Sequence, residues 1–335
     1  MRRPKLGLAI GLGLSATGYR ALVVWSRQAL VGAPSSAELE ASLRDRLATA
    51  GLAEVESRYQ DTPAGRVHVL LAGRSGSPVA LLPGLAASAG DFAELIVALA
   101  RDHRVIAIDL PGSGLSDPVG FKGHPRRPWI EVIQAVVDRE QIDQFSLVGH
   151  SLGGLAAGGF AIAHPERVRR LVLLSPLGLS RRIPRLWNLT LVPGLMDLRG
   201  LYQRATLTRG SGGHRLAGDH RRPDRGARAQ GLYRLGVGRR FGAGSDLGLV
   251  PRLLRPFRLR ADSQLLPGLG LLADRVLVIW GGDDRRLSWR DAEVELAYFP
   301  RLRATVVPNT GHLFPVLQPV PTAGLIAEFL RPGCA

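Results

Sequence analysis

One joint in the chain restricts its fold more than any other feature. The apolar run Phe145–Val148 leads without a break into Gly149-His150-Ser151-Leu152-Gly153, with Gly154 next, and an Ala- and Gly-rich stretch, Leu152–His164, follows with helical character. A strand can turn into a helix this abruptly only where small residues flank the turn, because larger ones would collide as the two elements fold back on each other. Such joints belong to parallel sheets covered by helices, where every strand must cross over before the next one begins.

The rest of the chain from Glu54 onward keeps the same alternation. Short β-branched and apolar runs at Val55–Tyr59, Arg66–Leu71, Val79–Leu82, Val105–Ile108, Phe145–Val148, Val168–Leu174, Arg275–Trp280 and Thr305–Val307 predict eight strands. The first two are expected to form a hairpin across the Asp61–Gly65 turn. Helices are expected over Asp91–Ala100, Trp129–Arg139, Leu152–His164, Arg290–Tyr298 and Thr322–Leu330. The pattern predicts an α/β fold: a mostly parallel eight-stranded sheet with helices on both faces.

Two segments fall outside it. Residues 1–27 begin with Arg2, Arg3 and Lys5 and continue into an apolar stretch from Leu6 to Trp25, broken by Arg20. A basic start before an apolar run reads as a signal or membrane anchor, and 20 residues are enough to cross a bilayer as a helix. The expected location is therefore membrane-associated or exported. The alternative is a soluble helix packed on the domain, in a cytoplasmic protein. Residues 176–270 show no sheet strands, and residues 201–245 carry 10 arginines and 10 glycines. We expect an insertion at the active edge of the sheet, a cap or lid with a helical first part, dividing a core made of residues 50–175 and 271–335.

The formal charge is +16, from 44 basic and 28 acidic residues, and nearly all the positive charge is arginine. Arginine suits phosphate and carboxylate contacts, and an anionic membrane surface is compatible with such a balance. Nucleic acid is not an expected partner, since the Arg/Gly tract holds few interleaved aromatic residues, Tyr202 at its start and then Tyr233 and Phe241. The single cysteine, Cys334, excludes an intramolecular disulfide and a cysteine-based zinc cluster. No Walker loop, HExxH or EF-hand spacing occurs, so no metal or cofactor is called for. Gly112-Ser113-Gly114 lacks the third glycine of a dinucleotide loop and reads as a tight turn shaped by Asp109.

The strand–turn–helix joint has the form of a nucleophile elbow, with Ser151 raised above the sheet at the positive end of a helix. A serine nucleophile needs a base to take its proton, and the base needs an acid to orient it. On such a fold the order is serine, acid, histidine. Among His164, His214, His220 and His312, only His312 lies beyond a late strand. The turn after Arg275–Trp280 offers two carboxylates, Asp283 and Asp284, whereas the loop after Val168–Leu174 offers none.

The chain resembles α/β-hydrolase-fold proteins with a cap domain, from about Val55 to the C-terminus outside residues 200–270. The likeness rests on the elbow, Leu81-Leu82-Pro83-Gly84-Leu85, Asp109-Leu110-Pro111-Gly112-Ser113-Gly114-Leu115-Ser116-Asp117, Trp280-Gly281-Gly282-Asp283-Asp284 and Gly311-His312. The resemblance implies Ser151 as nucleophile, His312 as general base and Asp284 as acid, third after the glycine that ends its strand, with Asp283 a turn residue. It also implies an oxyanion hole made by the backbone N–H groups of Leu85 and Leu152. Many members carry His-Gly where this chain has Pro83-Gly84, a change that a backbone donor tolerates.

The activity so implied is cleavage of small carboxylic esters, esterase- or lipase-like, through an acyl-enzyme. Trp187, Leu189, Leu191, Leu195 and Met196 in the insertion would line a lipophilic pocket, or equally form the core of the cap. The same serine would also serve a cofactor-free perhydrolase (haloperoxidase-like), a carbon–carbon bond hydrolase or an acyltransferase. A membrane-tethered binding protein on the same fold is the non-enzymatic alternative.

Overall fold

The computed structural model describes residues 36–51, 55–84, 87–111, 113–117, 127–179 and 265–331. The apolar leader and most of the expected cap, with Trp187 and Met196, lie outside the described residues, as does Leu85.

Eight strands form one sheet: β1 (Glu56–Thr62), β2 (Gly65–Ala72), β3 (Ser77–Leu82), β4 (His103–Ile108), β5 (Phe145–His150), β6 (Val168–Leu174), β7 (Val276–Gly281) and β8 (Arg303–Val307). Their spatial order is β1-β2-β4-β3-β5-β6-β7-β8. The β1–β2 hairpin pairs antiparallel to the rest, and from β4 through β8 every pairing is parallel. The described helices are α1 (Ser36–Thr49), α2 (Ala93–Leu99), α3 (Arg127–Arg139), α4 (Leu152–Ala163), α5 (Leu265–Gly270), α6 (Trp289–Leu296), α7 (Phe314–Leu317) and α8 (Pro319–Leu330).

The two faces of the sheet carry separate apolar clusters, as expected where helices cover both sides. Against one face pack α3 and α4, through Trp129, Val132, Ile133, Val136, Leu155 and Phe160. Against the other pack α1, α2 and α8, through Leu43, Leu47, Ile96, Leu99, Ile326 and Phe329. β5 lies between β3 and β6, buried along its whole length, so the joint at its end is held from both sides.

Several boundaries differ from expectation for local reasons. β1 runs on through Asp61 and Thr62, which pair with Arg66 and Gly65, so the hairpin turn shrinks to Pro63-Ala64. Gly65 there takes φ +109°, a region that glycine enters without penalty. α2 begins at Ala93 rather than Asp91. The Asp91 carboxylate reaches back to the Ser88 N–H at 2.7 Å and holds Ala89–Phe92 as a 3₁₀ turn. At the far end of the expected insertion, α5 places Leu265, Leu266 and Leu269 in the same cluster as α4, joined by Leu177 and Leu179 from the near end. Both ends of that insertion are thus anchored in the core.

Candidate active site

Ser151 sits at φ 54°, ψ −114°, conditions that a residue with a side chain adopts at a cost of about 1–3 kcal/mol. The surrounding backbone over-determines the turn. Its N–H donates to Leu174 O at 3.0 Å, and its carbonyl accepts from Gly154, Leu155 and Leu177 at 3.0, 3.2 and 2.9 Å. The glycines of the joint are sterically required. A Cβ at Gly153 would collide with the carbonyl oxygens of Leu82 and Pro83, and one at Gly149 with the carbonyl of Gly153. Leu152 is the first residue of α4, a position whose N–H has no intrahelical acceptor, beside the Ser151 side chain. The loop after β3 passes close by, since a Cβ at Gly84 would lie 3.1 Å from the Ser151 Cβ.

Two loops from the other half of the sheet converge on this serine. His312 Nε2 lies 3.0 Å from Ser151 Oγ, and His312 Nδ1 lies 2.7 Å from Asp284 Oδ2. A carboxylate only accepts, so Nδ1–H donates to Asp284; this leaves the Nε2 lone pair to accept the Ser151 hydroxyl proton. All three residues are buried. Asp283, the other carboxylate in the turn, is exposed, and its N–H donates to Thr310 O at 2.7 Å. That bond, with Gly282 N–H to Val307 O at 2.9 Å, ties the acid turn to the histidine loop.

Asp284 is held as an acceptor on every side. Its second oxygen, Oδ1, accepts the N–H groups of Arg286 and Leu287 at 2.8 and 2.9 Å. Burial by itself would raise its pKa. The hydrogen bond and charge of His312, joined by the two backbone donors, outweigh burial and hold the carboxyl below its ordinary value. Trp280, wholly buried on β7, donates its indole N–H to Leu287 O at 2.8 Å and fixes the far side of the same turn.

Sequence reasoning passed over His150. This residue is buried, and its Nε2–H donates to the backbone carbonyl of His312 at 2.8 Å. Its ring lies 4.8 Å from that of His312, centroid to centroid, and 5.7 Å from that of Phe92. Burial, and next the neighbouring His312, lower its pKa to about 3, so it stays neutral. Its Nδ1 has no hydrogen-bond partner among the described groups and faces Gly84. The only signal in the sequence was its place inside the Gly149–Gly153 pentapeptide.

In the tight loop after β4, Gly114 packs against Asp109. Asp109 Oδ2 accepts from Leu115 N–H at 2.9 Å, and a side chain at Gly114, φ +54°, would overlap that carboxylate. Among the described residues, no group of three or more His, Cys, Asp or Glu side chains is placed to hold a metal ion, and no helix is long and apolar enough to cross a membrane.

The model of the alpha/beta hydrolase fold family matches residues 77–319, from β3 through the histidine loop. The chain belongs to the alpha/beta hydrolase family. Relatives bear different activities. A serine hydrolase-like protein of Danio rerio is 42% identical over 31% of this chain and 32% of its own length. A 2-hydroxymuconate semialdehyde hydrolase of Pseudomonas putida is 28% identical over 86% of this chain and 93% of its own. The chain spans between 25% and 51% of the length of curated relatives, the Danio rerio protein among them, that it matches at 32–45% identity. Among solved structures, the naproxen esterase of Bacillus subtilis superposes with a TM-score of 0.64 at 20% identity, covering 88% of this chain and 97% of that one. This last likeness is one of fold.

Proposed function

We propose that this hydrolase cleaves small carboxylic esters through an acyl-enzyme on Ser151. The observation that carries the proposal is the unbroken line of hydrogen bonds from Asp284 through His312 to Ser151, with a free lone pair on the histidine facing the hydroxyl. His312 takes the proton as Ser151 Oγ adds to the ester carbonyl, then returns it to the departing alcohol. Asp284 fixes the imidazole tautomer and stabilises the imidazolium. The backbone N–H groups of Leu152 and Leu85 receive the negative charge on the tetrahedral intermediate; each such donor is worth roughly 3 kcal/mol. Water then attacks the acyl-enzyme along the same path, with His312 as base.

Residues 176–270 supply the cap in this proposal, and Trp187 and Met196 give it a lipophilic lining suited to apolar acyl or alcohol groups. Residues 1–27 bring the enzyme to a membrane surface. The structural likeness to esterases supports the ester reading, and the relative named a 2-hydroxymuconate semialdehyde hydrolase supports a second one: hydrolysis of a carbon–carbon bond beside a ketone. The same nucleophile would add to the ketone carbonyl, but the leaving carbon needs a conjugated acceptor for its electrons. Turnover of p-nitrophenyl esters of graded acyl length, set against a dienol-conjugated ketone, separates the two. Ester turnover that rises with acyl length supports the first reading, and cleavage of the ketone alone supports the second.

A further inference from the structure

A second serine–histidine–aspartate line runs through the opposite half of the sheet. Ser57 Oγ lies 2.9 Å from His68 Nε2, and His68 Nδ1 lies 2.9 Å from Asp109 Oδ2. His68 and Asp109 are each 1% exposed, whereas Ser57 is open to solvent on β1, the edge strand. The carboxylate accepts, so His68 Nδ1–H donates to Asp109, and its Nε2 lone pair accepts the Ser57 hydroxyl proton. Asp109 cannot turn away. Its oxygens also accept Ala89 N–H at 2.6 Å and Leu115 N–H at 2.9 Å, and Ser116 Oγ–H donates to its backbone carbonyl at 2.6 Å. His68 is fixed as firmly, with its N–H on Ser116 Oγ at 2.8 Å and the Tyr59 ring edge-on at 5.5 Å.

At 1% exposure His68 cannot draw on bulk water to satisfy Nε2. Here the partner is a solvent-facing hydroxyl, bonded to a base whose tautomer is locked by a buried carboxylate. We propose that Ser57 is a second activated hydroxyl, an acceptor for small activated acyl groups outside the Ser151 site. Ser57 Oγ adds to the carbonyl carbon of an activated carboxylic ester while its proton passes to His68 Nε2. The bond to the leaving oxygen breaks, and the departing phenolate or alkoxide takes that proton from His68. The products are O-acyl-Ser57 and the free phenol or alcohol, with His68 neutral as before. Ser57 lies within a regular strand rather than at a helix N-terminus, so the site lacks the paired backbone donors that speed addition and deacylation at an elbow. The result is a slow covalent modification that accumulates, not a second turnover site.

The test uses full-length Ser151→Ala protein, which removes the competing acceptor. It is treated with p-nitrophenyl acetate, and acetyl occupancy is read peptide by peptide by mass spectrometry. Ser75, exposed in the turn before β3, is the internal reference. Folded protein should carry acetyl on Ser57 in excess of Ser75 by tenfold or more, on the order expected for a positioned general base. The excess should fall to parity in urea, where His68 no longer meets Ser57. Equal modification of the two serines in the folded protein overturns the proposal. So does an excess at Ser57 that survives urea, because it would then come from local sequence. The ratio is independent of whether Ser151 is the nucleophile, which is judged separately by labelling of the wild-type protein.

Discussion

His150 Nε2–H donates to the carbonyl oxygen of His312 at 2.8 Å, binding the neighbour of the proposed nucleophile to the proposed base across 162 residues of chain. Among the described hydrogen bonds, the serine and histidine loops are otherwise joined at Ser151 Oγ and His312 Nε2, a contact that the proposed mechanism breaks in every cycle. His150→Phe keeps a ring against Phe92 and His312 but removes the donor. It should lower kcat by about tenfold with little change in KM. His150→Gln, which restores an N–H, should recover part of the loss. Steady-state kinetics of the two variants checks this, and equal losses in both would assign His150 to packing alone.

The same residue makes stability depend on acid. His150 is neutral in the folded protein down to about pH 3, while in the unfolded chain it takes up a proton below its ordinary value of 6.5. The unfolded state therefore binds more protons between those limits, and stability falls as pH falls through that window. The loss approaches ~1.4 kcal/mol per pH unit, or about 3 kcal/mol by pH 4. Urea midpoints measured from pH 7 to 4 should drop steeply for wild type and less steeply for His150→Phe, which has no such group.

Asp284 works in the same direction at lower pH. Its folded carboxyl sits below the ordinary 3.8, so ionised Asp284 contributes stability above that value and loses it as pH falls through the folded pKa. Asp284→Asn should shift the acid-unfolding midpoint. It should also cut kcat by about 10³- to 10⁴-fold, because an amide can no longer hold the His312 tautomer. Asp283→Asn, at an exposed turn position, should leave kcat within about twofold of wild type.

Gly153→Ala should destabilise by about 2–4 kcal/mol, since its Cβ would collide with two carbonyl oxygens of rigid backbone at the end of β3. Gly324→Ala is the control, because a Cβ at that position of α8 meets no atom of the described residues within 4 Å. Thermal melts of the pair check the contrast, and it is the glycine inside the joint that should fail.

The sheet was legible because its central strands are buried on both faces over most of their length and read as apolar runs, as at Leu171–Leu174 and Val276–Gly281. The convergence of Ser151 and His312 was legible because chain order and strand ends restrict so few positions. Other elements left weaker marks. α1 (Ser36–Thr49) is mostly polar, and the described contacts it makes with the core rest on Leu43 and Leu47, too sparse a pattern to stand out. α5 holds Pro267, Gly268 and Gly270, residues that argue against a helix, yet it forms against α4 because Leu265, Leu266 and Leu269 gain a buried face. Residues alone left Asp283 and Asp284 open, and family spacing favoured the second. The geometry that separates them comes from the turn itself, where Arg286 and Leu287 aim their N–H groups at Asp284. His68 escaped notice because its partners, Ser57 and Asp109, meet only through antiparallel pairing of β1 and β2 beside β4.

Reaction with a fluorescent fluorophosphonate, with the adduct located by peptide mapping, examines the Ser151 nucleophile head-on. Wild-type protein should label rapidly on the peptide that contains Ser151, and Ser151→Ala should lose that rapid phase entirely. Folded wild type that does not label, or rapid labelling undiminished in Ser151→Ala, would contradict a serine activated by His312 and Asp284.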